Sequence, residues 1–396
     1  MPLSPVGTAR ASWLRMAQPA LFAGDPFDRI LNALDPRAGP KRRVVERCAA
    51  IVLIAWAPLA VASYAEGTFR GAPGSFASDI LVHVRLLVSV PLLMIGEHAV
   101  ARRFGAALEH LERAGLVPED RRAAYRAAIA SVERLHRAVW PDVVLVGLVA
   151  AFAVDDITAG RLERWMQPAL VPGATLSLAG AWDLCFSLPV YRFLVGRWLW
   201  HFALWFLLLA RVARVPLRLE ATHPDRMAGL RFLSDAHESL AWLVLALSCT
   251  LAASLIMLLR HTGEAVDALD PTVLLFCIAA PLLAVSPMTV FAWPLERARR
   301  ERHDDYGVAA ADLSRRYVAK HIAGRSATPF PVDADEPSTH IDMSSSFQNC
   351  IDMRRAPVRR TTLILLFACA AVPMLAVYLQ QLPMVEIVKR LRGLMG

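Results

Sequence analysis

Apolar residues in this chain gather into seven long runs separated by charged stretches: Cys48–Tyr64, Ile80–Val100, Pro141–Val154, Leu184–Ala210, Ser239–Leu259, Thr272–Pro294 and Thr361–Leu379. A membrane-crossing helix needs about 20 mainly apolar residues at a rise of about 1.5 Å each. The third run is short and needs Trp140 and Asp155 to reach both interfaces; the fourth is long. The pattern predicts an all-α, polytopic transmembrane bundle of about seven spans. Residues 1–47 form an N-terminal segment, and 48–396 a single transmembrane helical domain with helical insertions at 101–138 and 295–357.

Between the second and third runs, Phe104, Leu108 and Leu111 make one helical stripe; Tyr125, Ile129, Val132 and Leu135 make another. Such spacing marks amphipathic helices, and Gly115 with Pro118 breaks them apart. After the sixth run, Leu295–Ile322 reads as a charged helix interrupted at Gly307. Arg325–Pro357, rich in Ser, Pro and Asp, reads as an irregular loop. These insertions are too small for a soluble domain, and they form a collar on the bundle. No internal repeat is visible. Trp140, Trp182, Trp242 and Trp293 lie near run ends, where indole rings favour the headgroup region. Met166–Ala181, apolar and punctuated by Pro and Gly, is a candidate re-entrant segment.

Composition agrees with this reading. The chain has 396 residues, 56% of them hydrophobic, against about 45–50% in soluble domains. Mean hydropathy is +0.41. A net charge of +8 would suit a nucleic-acid binder, but the basic residues flank the apolar runs. Lysine plus arginine in the successive segments outside the runs number 8, 1, 8, 2, 5, 1, 12 and 3. The positive-inside rule then places the N-terminus in the cytoplasm and the C-terminus in the periplasm. The N-terminal 47 residues contain no apolar core before a cleavage site, so no secretory signal is expected. Five of six cysteines fall inside apolar runs without CxxC spacing, which argues for small hydrophobes rather than a disulfide or zinc framework.

The run Leu217–Leu233, LRLEATHPDRMAGLRFL, preceded by PVYRFLVGRWLWHFALW at Pro189–Trp205, resembles a family of bacterial multi-pass inner-membrane proteins. Their pattern leads from an Arg-rich aromatic helix into HPDRAGGLGFL. His223, Pro224, Asp225, Arg226, Gly229, Leu230, Phe232 and Leu233 match it; Met227, Ala228 and Arg231 depart by replacing small residues with larger ones. The resemblance covers about 45 residues clearly. It implies an inner-membrane location, with the motif on the cytoplasmic side, and it implies no reaction.

Charged residues inside apolar runs are costly and point to function. Arg197 lies midway between Trp182 and Arg211, Arg192 about 7 Å farther out, and His83 and Arg85 toward the outer end of the second run. His201 shares a helical face with Arg197, whereas Arg192 is turned about 140° away. Candidate charge partners are Asp79, Asp155, Asp156 and Asp183. These residues suggest an anion pathway; structural ion pairing and snorkelling are the competing reading. In the HPDR segment, Thr222 could cap a following helix, with Pro224 in its first turn and Asp225 at its positive end. His223 and Asp225, with His237 and Glu238, are the alternative proton or metal site. His303, Asp304 and Asp305 read as a solvated helix face.

There is no P-loop, GxGxxG, HExxH or GxSxG, and no cofactor or metal is indicated. The balance tilts away from an enzyme. The residues point first to a channel or transporter engaging an anionic solute or lipid head group. The alternative is a structural or signalling protein acting through its collar; the third reading is a metal-dependent membrane enzyme using His223 and Asp225. Expected partners are the lipid bilayer, an anionic solute or lipid, and further copies of the chain; nucleic acid is not expected.

Overall fold

Long apolar runs leave backbone polar groups no partner but each other, so they fold as helices. A computed structural model describes residues 40–71, 74–158, 163–167, 176–263, 265–318 and 335–380; most of the N-terminal segment and the last sixteen residues lie outside these. Among the described residues every element is helical. Helix α1 is Pro40–Ala65, α2 Ile80–Arg113, α3 Arg122–His136, α4 Trp140–Thr158, α5 Leu178–Val212 and α6 Arg231–Thr262. The chain continues through α7 (Asp270–Val285), α8 (Ala292–Val318), α9 (Asp335–Ile351) and α10 (Arg360–Leu379).

Six helical stretches are long and apolar enough to cross a membrane, and α3 with α4, bent by 41°, makes a seventh if counted as one span. Their outer faces are apolar: Val143, Val144 and Val146 on α4 are more than half exposed, as are Leu274, Leu275 and Leu282 on α7. Exposed apolar surface on that scale needs a lipid solvent. The chain is an integral membrane protein.

At the centre, α2 and α5 run parallel and in register. Arg85 faces Asp183, Glu97 faces Arg197, and Phe104 stacks on Trp205 with ring centroids 3.9 Å apart. Helix α2 also packs on α1 and α6, while α5 packs on α1, α3 and α4; α10 lies against α6 and α7. The approach of α6 to α2 is close. A Cβ on Gly96 would sit 2.5 Å from the Trp242 Cβ, so only glycine fits there.

Both central helices carry the same break. Helix α2 starts at Asp79, whose carboxylate accepts the Val82 N–H at 3.1 Å; α5 starts at Ser177, whose hydroxyl accepts the Gly180 N–H at 2.8 Å. Five α-helical residues follow in each, then a five-residue π turn, Arg85–Ser89 or Asp183–Ser187. Pro91 and Pro189 stand two residues beyond, and a proline that removes an N–H and crowds the preceding turn gives a wider helix a reason to form. The serine closing each π turn bonds outward: Ser89 donates to the Ala246 carbonyl of α6 at 3.0 Å, and Ser187 to the Ala55 carbonyl of α1 at 2.7 Å. Because α1 precedes its pair and α6 follows, the symmetry is local and no tandem repeat results.

Three local expectations need correction. Residues 335–351 are helical (α9) rather than irregular. They pack on α8, and that tertiary contact overrides their turn-like composition. Gly307 does not break α8, which runs continuously through it; one glycine costs a helix only about 1 kcal/mol. No helix starts at Thr222, whose hydroxyl donates to Glu220. Of the proposed re-entrant segment, 168–175 lies outside the described residues. Just before it, Arg164–Met166 is a short 3-10 turn with Trp165 and Met166 buried in the bundle.

Candidate functional site

The π turns bring Arg85 and Asp183 together. Arg85 Nη2 lies 2.7 and 3.0 Å from the two Asp183 oxygens, and both side chains are over nine-tenths buried. Burying such a pair costs desolvation that only good geometry repays. Here the Arg85 Nε is buried and has no hydrogen-bond partner among the described residues. Hydroxyls lie nearby: those of Ser89 and Thr250 are 2.7 Å apart, and the Tyr191 phenol is close to Thr250 and Arg85. The junction thus joins a guanidinium with a spare donor, a carboxylate and three hydroxyls where α2, α5 and α6 meet.

Toward the start of α2, aromatic rings gather about His83 and Asp79. His83 Nδ1 accepts from Trp56 at 3.0 Å, and the Phe76 ring lies edge-on to it at 4.9 Å. Trp165, 1% exposed, donates its indole N–H to Asp79 at 2.8 Å and packs edge-on to Phe76 at 5.3 Å. Burial, with the nearby Asp79 charge, pushes the Glu163 carboxyl above its usual range, against the pull of His261 3.5 Å away. Arg192 points to the opposite side of α5, pairing with Asp156 at 2.6 Å and lying over the Phe152 ring. Asp155, next along α4, is exposed.

Arg197 lies in a second cluster, about 18 Å along α2 from Arg85 at ordinary helical rise. Its Nε and Nη2 both donate to Glu97 Oε1, at 2.9 and 2.8 Å, and His201 Nδ1 is 3.2 Å from the same oxygen. The partner is therefore Glu97, none of the four aspartates. Glu97 stands inside the second apolar run, between Gly96 and His98; an acidic residue there is itself the signal that would have found it. Level with Glu97, Arg197 is five residues short of Arg102, nearer the polar end of the apolar run Ile80–Val100 than its middle. His136, the last residue of α3, brings its ring within 5.1 Å of His201.

The HPDR segment is a wrapped turn rather than a helix start. Asp225, its side chain 7% exposed, accepts from the N–H groups of Met227, Gly229 and Arg231 at 2.8, 3.1 and 3.2 Å, and lies 2.9 Å from His223. Its carboxylate fills a nest of amides that could otherwise take an external anion. Arg226, Ala228 and Gly229 adopt positive φ to close the loop, at 56°, 54° and 86°. Arg226 pairs with Asp352 at 3.4 Å and its carbonyl accepts the Arg354 N–H, tying the turn to the segment before α10. Beside it lies a cleft of about 520 Å³ lined by His110, Arg218, Glu220, His223, Asp225 and Arg231 among others. Among the described residues no three histidine, cysteine or acidic side chains form a group able to hold a metal ion.

A parallel pair of broken helices joined by buried charge, inside a lipid-facing bundle, defines a polytopic membrane protein with a polar core site. No family model, curated protein or solved structure matches the chain, so function must be argued from this site.

Proposed function

We propose that this chain is a membrane transport protein of the bacterial inner membrane, with the Arg85–Asp183 junction as its site for an anionic solute or lipid head group. The observation that carries the reading is the Arg85 guanidinium: nine-tenths buried and, among the described residues, bound to Asp183 through Nη2 alone with Nε unpartnered. An anionic ligand can take that donor directly, or displace Asp183. Helix breaks at matching points of two spans favour the same place, because discontinuous helices free polar groups for ligands at membrane depth. Arginine suits anions in general, since its charge persists when buried and its donors form a planar fork.

The ranking of the arginines changes with the geometry. Arg197 commits Nε and Nη2 to Glu97, so Arg85 becomes the foremost ligand-binding residue. The alternating basic loops support a cytoplasmic N-terminus and, with the α3–α4 pair as the third span, a periplasmic C-terminus. The Arg85 junction then lies toward the periplasmic side of the bundle.

Anion flux into liposomes tests the proposal, comparing wild type with Arg85→Gln at matched amounts of folded protein. Flux in wild type and at least a tenfold loss in the variant is the expected result. A folded Arg85→Gln protein that carries anions at the wild-type rate would remove Arg85 from the pathway.

A further inference from the structure

Away from Arg85, four helices bring titratable side chains to one place. Glu97 comes from α2, Arg197 and His201 from α5, His136 from the end of α3 and Asp142 from the first turn of α4. Glu97 Oε1 is shared by Arg197 and His201. Asp142 is partly buried and faces Arg197 and His201. Arg137 also faces His136 but is exposed and 3.8 Å from Glu133, so solvent and that carboxylate screen it.

With both imidazoles neutral, Arg197 faces the buried Glu97 and the half-buried Asp142, and His201 Nδ1 lies against the Glu97 oxygen that Arg197 already shares. Unbalanced charge is costly away from water, and imidazole is the group here that gains a proton in the physiological range. One proton on an imidazole sets a second cation beside Arg197 against these carboxylates. A second would set like charges on rings 5.1 Å apart.

We infer that the His136–His201 pair is a single-proton binding site, the proton residing on His201 beside Glu97. In the transport reading above, on which this role rests, it is the coupling-ion site. His136 and Asp142 lie on either side of the 41° bend between α3 and α4. Loading the proton adds a cation on α5 that attracts Asp142, and losing it removes that attraction. Proton occupancy therefore sets how firmly α3 and α4 hold to the bundle.

The test is hydrogen exchange of the 122–142 backbone in the full-length protein in lipid nanodiscs, corrected for the intrinsic pH dependence. In wild type, protection should fall about tenfold as pH rises through the imidazole range. His201→Gln should abolish that transition. Asp142→Asn, which removes a charge that favours the proton, should diminish that transition and serves alone if His201→Gln does not fold. Protection that is flat with pH in wild type, or a transition untouched by both variants, overturns the site. Flux without a pH-dependent transition ends the proton site and spares the transport reading; the transition without flux keeps the site and ends its coupling role.

Discussion

The two charged junctions between α2 and α5 use the same chemistry and differ in what they leave over. At Arg85–Asp183 one cation meets one anion and a guanidinium donor goes unused. At Glu97–Arg197 a single carboxylate oxygen serves two partners, with a second histidine and a second carboxylate close by. On the readings proposed above, the first is the place for an anion and the second for a proton. Two buried ion pairs of similar geometry can thus divide binding and coupling between them, according to the charge balance around each.

The largest effect that would break this comparison comes from halving either pair. Arg197→Leu or Asp183→Leu should each cost about 3–5 kcal/mol in detergent unfolding, because one charge stays buried alone. Removing both partners, as in Arg85→Met with Asp183→Leu, should recover most of that while abolishing flux. If the single and double variants unfold alike, the pair does not couple the helices. Next, Gly96→Ala should cost about 1–3 kcal/mol through overpacking against Trp242. Gly196→Ala, which meets only the end of the Leu145 side chain, should cost far less. Equal losses in the two would show that α6 does not hold α2 more tightly than α4 holds α5.

Smaller effects sharpen the contrast between the core and the HPDR turn. Asp225→Ala should lower stability by about 2 kcal/mol, since three backbone amides lose a charged acceptor; flux per folded molecule should stay constant. Smallest is Ala228→Gly, which relieves a left-handed alanine at φ 54° and should stabilise by up to about 1 kcal/mol, less the lost burial of one methyl. A destabilised Ala228→Gly protein would mean that the methyl contact outweighs the backbone strain.

Hydropathy alone located the long helices, since burial in lipid demands runs of that length. Their ends were harder to read: α2 runs thirteen residues past Val100 because its last turns bury Phe104, Leu108 and Leu111 in the collar while their neighbours are polar. The Arg85–Asp183 pairing was open among four aspartates, because helix order around a bundle leaves no mark in a single sequence. Glu97 went unread inside a run counted as apolar. The π turns have no local signature beyond a serine two residues before a proline, a spacing whose meaning appears only when the neighbouring carbonyls of Ala55 and Ala246 are in place. Residues 335–351 read as a loop because Ser, Pro and Asp favour turns in isolation, whereas contact with α8 decides otherwise.

The in-register pairing of α2 and α5 also has a mechanical consequence. Their cross-links act as rungs at successive heights: Arg85 to Asp183, the Trp198 indole to the Leu93 carbonyl at 3.0 Å, Glu97 to Arg197, and Phe104 on Trp205. Sliding one helix past the other by a single turn, about 5.4 Å, would break every rung at once. The pair therefore resists sliding as one strut, and a rearrangement of the bundle would fall first to the helices that lean on it.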